Sequence, residues 1–221
     1  MSEKVKRNIT CPKCGNVKET TLLCSVNASS FNDAHKQIFD DTFFEWTCEN
    51  CGETRQLLHP LLYNDIKNRT MVYYIPNVDR RQLVDDRLET EFPELADVKK
   101  RVVPTVNALK EKLYIFDLEL NDMAVELTKL AVAELVAKSQ KLHVTDGYLS
   151  AYDEEANSIG FEFFIGEAGR PFLQSTRLEV YKRSLEIVET YFADEDKRQG
   201  FIAIDRRWAK EALAQYRKLK N

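Results

Sequence analysis

A basic surplus is missing from this 221-residue chain: 32 Lys and Arg stand against 36 Asp and Glu, for a net charge of -4. Without clustered cations there is little to draw a phosphate backbone, so generic nucleic-acid binding is disfavoured from the outset. Long apolar runs are also missing. The longest, "LAVAELVA", contains Glu134 and is far too short to span a bilayer. The opening "MSEKVKRNIT" is charged and lacks the apolar core of a signal peptide, so the expectation is a cytoplasmic protein with no membrane partner. Catalytic signatures are equally scarce. There is no glycine-rich phosphate loop, no serine nucleophile elbow and no His-x-x-x-His helix. The three histidines, His35, His59 and His143, are scattered. No catalytic residue is assigned, although a site can be assembled from residues that the sequence does not group. Apart from the cysteine motifs described next, there is no internal repeat and no low-complexity tract.

Cysteine is used sparingly and in pairs. Four of the five occur as "CPKCG", Cys11 to Gly15, and "CENCG", Cys48 to Gly52. Each Cys-x-x-Cys-Gly figure suits a tight turn that aims two thiolates at one metal, and the following glycine can take the left-handed conformation that closes the turn. Pro12 presets its own backbone angle for the first turn. Two pairs give four sulfurs, which fill a tetrahedral shell. Cys11, Cys14, Cys48 and Cys51 are therefore the candidate ligands of a structural zinc ion. In a reducing compartment such pairs bind metal or do redox chemistry rather than form staples, and an odd total of five fits disulfide pairing poorly. A redox dithiol remains the alternative. Against it, both pairs end in glycine and run into strand-like sequence, where a thioredoxin-like site would open a helix. Catalytic zinc is disfavoured because four thiolates leave no open position for water. The 33 residues between Cys14 and Cys48 make a long loop. Closing it costs roughly 3 kcal/mol in the length-dependent term, against about 10–16 kcal/mol from a structural zinc site. Cys24, in the apolar run "TLLCSV", reads as a small buried hydrophobe, and His59 as a reserve ligand for which no position is vacant.

The rest of the chain suggests an α+β protein, an N-terminal antiparallel zinc ribbon over residues 1–76 followed by a helical and mixed α/β C-terminal region. "VKETTLLCSVNAS", "TFFEWTCENCG", "ETRQLLHPLLYND" and "TMVYYIP" read as strands, with Pro60 interrupting the third. "FNDAHKQIFDD" reads as a short helix. Residues 77–104, dense in both charges and holding Pro93 and Pro104, read as a short helix in a solvated connection. Residues 105–221 form the α+β region. Two helices come first, the second capped by Asn121 or Asp122 with Leu127, Ala131, Val132, Leu135 and Val136 on its core face. A hairpin over 148–165 follows. Next comes a helix with Leu178, Tyr181, Leu185, Val188 and Phe192 inward, then the short strand "GFIAI". Asp205 caps a last helix with Trp208, Ala212 and Tyr216 inward.

The double knuckle, the phrase "SVNASSFNDAHKQIFDDTFFEWTCENCG" and the exit "LLHPLLYNDIKNRTMVYYIP" resemble the CpXC proteins, named for a Cys-Pro-X-Cys motif. The likeness continues through "ALKEKLYIFDLELNDMAVELTKL" and covers about the first 135 residues. Cys11, Pro12, Cys14, Cys48 and Cys51 match the motif. Glu49 stands where a second proline would be, which costs turn rigidity but no ligand. The resemblance implies a zinc-ribbon-like bacterial family without an assigned role, and it brings no catalytic residues.

Three function classes follow. An enzyme lacks its constellation. A nucleic-acid reader would need Lys6, Arg7, Lys13 and Lys18 free beside the first knuckle and Phe43, Phe44, Trp46, Tyr73 and Tyr74 free to stack bases. Residues 1–76 carry nine basic and nine acidic residues, so this half is neutral before metal and anionic after it. The aromatics read better as core. What remains is a zinc-binding interaction or scaffold module whose partner is another protein, with nucleic acid as the alternative partner.

Overall fold

The computed structural model describes residues 4–31, 33–79, 82–84, 91–92, 95, 97–141 and 143–220. The fold is α+β. The chain forms two compact units, Met1–Lys110 with Gln199–Ile202 and Glu111–Arg198 with Ala203–Asn221.

In the first unit, strands β1 (Lys4–Thr10) and β2 (Val17–Leu23) make one antiparallel hairpin, and β4 (Glu45–Thr47) and β5 (Thr54–Gln56) make another. These two hairpins carry the two knuckles in their loops. The expected ribbon of three or more strands is thus a pair of two-stranded hairpins, because the strands after Pro60 leave for a different sheet. That sheet has six strands in the order β3 (Ser25–Asn27), β6 (Leu61–Asp65), β7 (Thr70–Tyr74), β9 (Lys99–Val103), β13 (Phe201–Ile202), β8 (Gln82–Leu83). It is mixed: β6 and β7 are antiparallel, whereas β3 runs parallel to β6 and β9 parallel to β7. Helix α1 (Ala34–Phe39) lies between the knuckles in sequence, as its apolar spacing suggests, and buries Ala34 and Ile38. Val26, Leu61, Tyr63, Val72 and Tyr74 are buried on the sheet strands.

Strand β9 corrects the reading of 77–104 as a solvated connection. Its Lys100 and Arg101 are buried. The Lys100 ammonium donates to the Leu95 carbonyl at 2.6 Å and to that of Val98 at 3.3 Å, and Arg101 Nη1 donates to the Lys100 carbonyl at 3.2 Å. Charges that look solvated in sequence are satisfied by backbone oxygens while Val102 and Val103 are buried. The short helix expected in this stretch, together with Pro93, falls largely outside the described residues.

The second unit centres on helix α3 (Asp122–Gln140), preceded by α2 (Val106–Asp117), whose first turn belongs to the other unit. Asn121 caps α3: its side-chain oxygen accepts the backbone N–H groups of Met123 and Ala124 at 3.0 and 3.1 Å. From Asp122 to Leu130 every residue of α3 is buried. Farther on only a stripe is covered, so Val132 and Val136 are buried while Ala131 and Leu135, expected in the core, are exposed. Around α3 pack a three-stranded antiparallel sheet of β10 (Val144–Asp153), β11 (Ser158–Ile165) and β12 (Arg170–Arg177), and helices α4 (Leu178–Tyr191) and α5 (Arg206–Lys220). Strand β12 extends the expected hairpin by a third strand. The Asp205 cap and most of the inward residues of the last helices agree with the sequence reading, whereas Leu185 and Tyr216, also expected inward, are half-buried. Asp205 accepts the Trp208 N–H at 2.9 Å, and Leu178, Tyr181, Val188, Trp208 and Ala212 are buried.

Candidate metal centre

The two knuckles are built alike, bond for bond. In the first, the chain leaves β1 at Thr10, which pairs with Val17 on β2, and residues 11–16 make the turn. The Cys11 N–H donates to the Asn16 carbonyl at 2.8 Å and the Gly15 N–H to the Cys11 carbonyl at 2.9 Å. In the second, Thr47 pairs with Thr54, the Cys48 N–H donates to the Glu53 carbonyl at 2.8 Å and the Gly52 N–H to the Cys48 carbonyl at 2.8 Å. Gly15 and Gly52 have φ of 71° and 70°. Both sit in open space, so it is the left-handed backbone, not a clash, that calls for glycine.

These turns place all four ligand atoms within 4.8 Å of one another. Two of these approaches cross between knuckles: Cys11 Sγ to Cys51 Sγ is 3.6 Å and Cys14 Sγ to Cys48 Sγ is 3.7 Å. A tetrahedron of sulfurs around an ion at 2.3 Å has edges of about 3.8 Å, whereas a disulfide would need about 2.0 Å. All five thiols are unbonded to one another. The sulfur cluster therefore has the dimensions of a metal shell. Cys11 and Cys48 are buried, Cys51 is half-buried and Cys14 is exposed.

The cluster also has the electrostatics of a site that wants a cation. Cys14 is pulled down to about 6, first by the Asn50 side chain, whose Nδ2 donates to its sulfur at 3.5 Å, and next by the Asn16 backbone N–H. At Cys51 the Glu53 backbone N–H also pulls down, but burial and the neighbouring thiols Cys14, Cys11 and Cys48 outweigh it and push the group up to about 12. One thiol gives up its proton easily and another holds on, because the thiols share hydrogen bonds that favour the thiolate at Cys14 and the protonated form at Cys51. A divalent cation at this point would let all four ionise together.

The other residues singled out in sequence fall elsewhere. Cys24 is half-buried between β2 and β3, apart from the cluster. His59 packs edge-on against Phe44 at 5.3 Å and is not part of the cluster. Its Nδ1 is buried without a hydrogen-bond partner in the described structure. Phe44 and Tyr74 are buried and stack edge-on at 5.4 Å, and Tyr73 meets Phe201 at 5.6 Å, so these rings serve the core. The four cations near the first knuckle are engaged. Lys6 pairs with Glu19 at 2.8 Å, Lys13 with Glu53 at 3.5 Å and Lys18 with Glu49. Arg7 donates to the Lys6 carbonyl at 3.4 Å.

Sequence reasoning missed two features. One is Asn50, whose only signal was its place directly before a candidate ligand cysteine, the place Lys13 holds in the first knuckle. The other is a buried charge cluster in the second unit. Lys129 pairs with Glu111 at 2.9 Å and with Glu126 at 2.8 Å, and Lys112 pairs with Asp122 at 2.8 Å. Glu111 Oε1 also accepts the Leu149 N–H of β10 at 2.6 Å. Burial raises the Glu126 carboxyl, partly offset by Lys129. At Lys129 burial works against the ammonium, yet Glu111 and Glu126 hold it above its ordinary value. The Glu126–Lys129 spacing was readable, but nothing local marked it as buried.

Two hairpins that converge four cysteines on one point, joined to a mixed sheet, define an α+β protein with a four-sulfur metal-site geometry. Its family follows from the same residues: the CpXC protein model matches residues 9–129, and the chain belongs to that family. The matched span takes in both knuckles and ends at Lys129 of the buried cluster. No curated protein and no solved structure matches the chain. Among the described residues, no helix is long and apolar enough to cross a membrane.

Proposed function

We infer that Cys11, Cys14, Cys48 and Cys51 bind one structural zinc ion, and that the protein acts as an interaction or scaffold module whose partner is another protein. The observation that carries the metal reading is the convergence of four ligand atoms within 4.8 Å. Four sulfurs select a soft or borderline cation over magnesium or calcium, and tetrahedral S4 geometry suits zinc. Four protein ligands complete the shell and leave no place for an activated water, so the ion ties the two hairpins together and does no chemistry. Each hairpin alone is marginal in water, and about 10–16 kcal/mol of apparent binding energy explains how they hold.

The choice of a protein partner is supported by what surrounds the knuckles. The cations that could have gripped phosphates are engaged in ion pairs and backbone contacts. Phe44 and Tyr74, which could have stacked bases, are buried. Single replacements test the ligand set. Cys11→Ser, Cys14→Ser, Cys48→Ser and Cys51→Ser should each lower bound zinc well below one per chain and melt the hairpins. Cys24→Ala should keep the full metal content. Zinc retained in Cys14→Ser and lost in Cys24→Ala would overturn the assignment.

A further inference from the structure

The two knuckle turns share one backbone but not one environment. The first cysteine of each, Cys11 and Cys48, is 1% exposed. The second cysteines lie outward, and of these Cys14 is exposed while Cys51 is half-buried. The centre therefore has a closed side and an open side, and the sulfur on the open side is Cys14. The position before the second cysteine differs as well. In the first knuckle it is Lys13, which turns to the Glu53 carboxylate at 3.5 Å. In the second it is Asn50, which reaches across the centre and donates its Nδ2–H to Cys14 Sγ at 3.5 Å. The most exposed sulfur is thus the one that accepts a side-chain N–H from the opposite hairpin. That bond occupies a lone pair an incoming proton or electrophile would otherwise take, and it fixes the sulfur's direction. Partners of this kind orient ligand atoms and set how tightly a metal is kept.

We propose that Cys14 is the point at which the centre exchanges its metal, and that Asn50 is the positioning residue that keeps this point shut. The proposal rests on the metal-centre reading above. The exchange is ligand substitution without electron transfer. With a metal held by the four cysteines, a soft donor from solution, a thiolate in the first instance, would approach from the open side and take the place of Cys14, whose released sulfur would take a proton from water. Cys11 and Cys48 cannot lead, because an incoming ligand has no path to their side.

The test uses the zinc-loaded full chain and follows metal release to a chromophoric chelator. Asn50→Ala should release zinc about tenfold faster than the unmodified protein, the lower end of what loss of an outer-shell partner costs. Lys13→Ala should release at close to the unmodified rate. Asn50→Gln, which keeps the amide on a longer stem, should recover part of the slow rate. In cobalt-loaded protein the sulfur-to-metal charge-transfer band should shift in Asn50→Ala and stay in place in Lys13→Ala. Limited iodoacetamide treatment of the zinc form should mark Cys14 before the other three. Equal release from Asn50→Ala and unmodified protein, or first labelling at Cys11, Cys48 or Cys51, overturns the proposal. Elemental analysis of the same samples separates the two levels. A loaded centre with equal rates defeats only this proposal, whereas protein that holds no metal defeats the centre itself and this proposal with it.

Discussion

His59 is a residue whose surroundings make stability depend on pH. Burial lowers its imidazole below the ordinary value, and its Nδ1 lacks a partner. The unfolded chain, with a histidine near about 6.5, takes up this proton first as the solution is acidified. Its contribution is thus fully present above about pH 6.5 and is lost as the pH falls below it. His59→Phe, which extends the packing on Phe44, should narrow the loss of thermal stability between neutral and mildly acidic buffer, read as the difference in Tm between variant and parent. An equal loss in both would remove His59 from the account. At this scale the sequence was informative for the clustering of the four cysteines and mute for their neighbours. A Cys-x-x-Cys-Gly pair is a local pattern, and its hydrogen bonds close within six residues. The Asn50 contact to Cys14 spans 36 positions, so no local rule could find it.

Among the elements, α2 and α3 are joined by charge. Lys129 sits between two carboxylates, and Glu111 additionally satisfies a backbone N–H on β10. Removing the cation leaves buried anions unpaired, so Lys129→Met should destabilise by about 3–5 kcal/mol, measured from chemical denaturation. Glu126→Gln should cost far less, because the amide still accepts from Lys129 and a carboxyl already raised by burial loses little with its charge. A Lys129→Met protein as stable as the parent would show that the cluster is incidental. The helices themselves were legible from periodicity and caps, since Asn121 and Asp205 accept N–H groups of the first turns that follow them. What periodicity could not supply was how far the cover reached. Asp122, Glu126 and Lys129 look like a solvent face and are buried, whereas Leu135 looks like core and is 64% exposed. The ladder of β9 was hidden for the same reason, because "KKR" opens a strand whose charges are satisfied inside.

At the level of the whole molecule, charge argues against a polyanionic partner. The net charge is -4, and the cations beside the first knuckle are already paired. Non-specific affinity for nucleic acid comes mostly from counterions released by clustered cations. Fluorescence anisotropy with single- and double-stranded oligonucleotides at low salt should therefore show no salt-sensitive binding. Micromolar binding that weakens steeply with salt and vanishes in a Lys13→Glu, Lys18→Glu variant would replace the protein-partner reading. The α+β class was readable because strand-like and helix-like segments come in separate runs rather than in strict alternation. The sheet order was not, because β13 joins β9 from about 100 residues away and such pairing leaves no local trace. Metal content decides most directly whether the four cysteines form a zinc centre. Elemental analysis of protein purified without added metal should give one zinc per chain. Protein that is folded, free of metal and carrying four reactive thiols or two disulfides would contradict it.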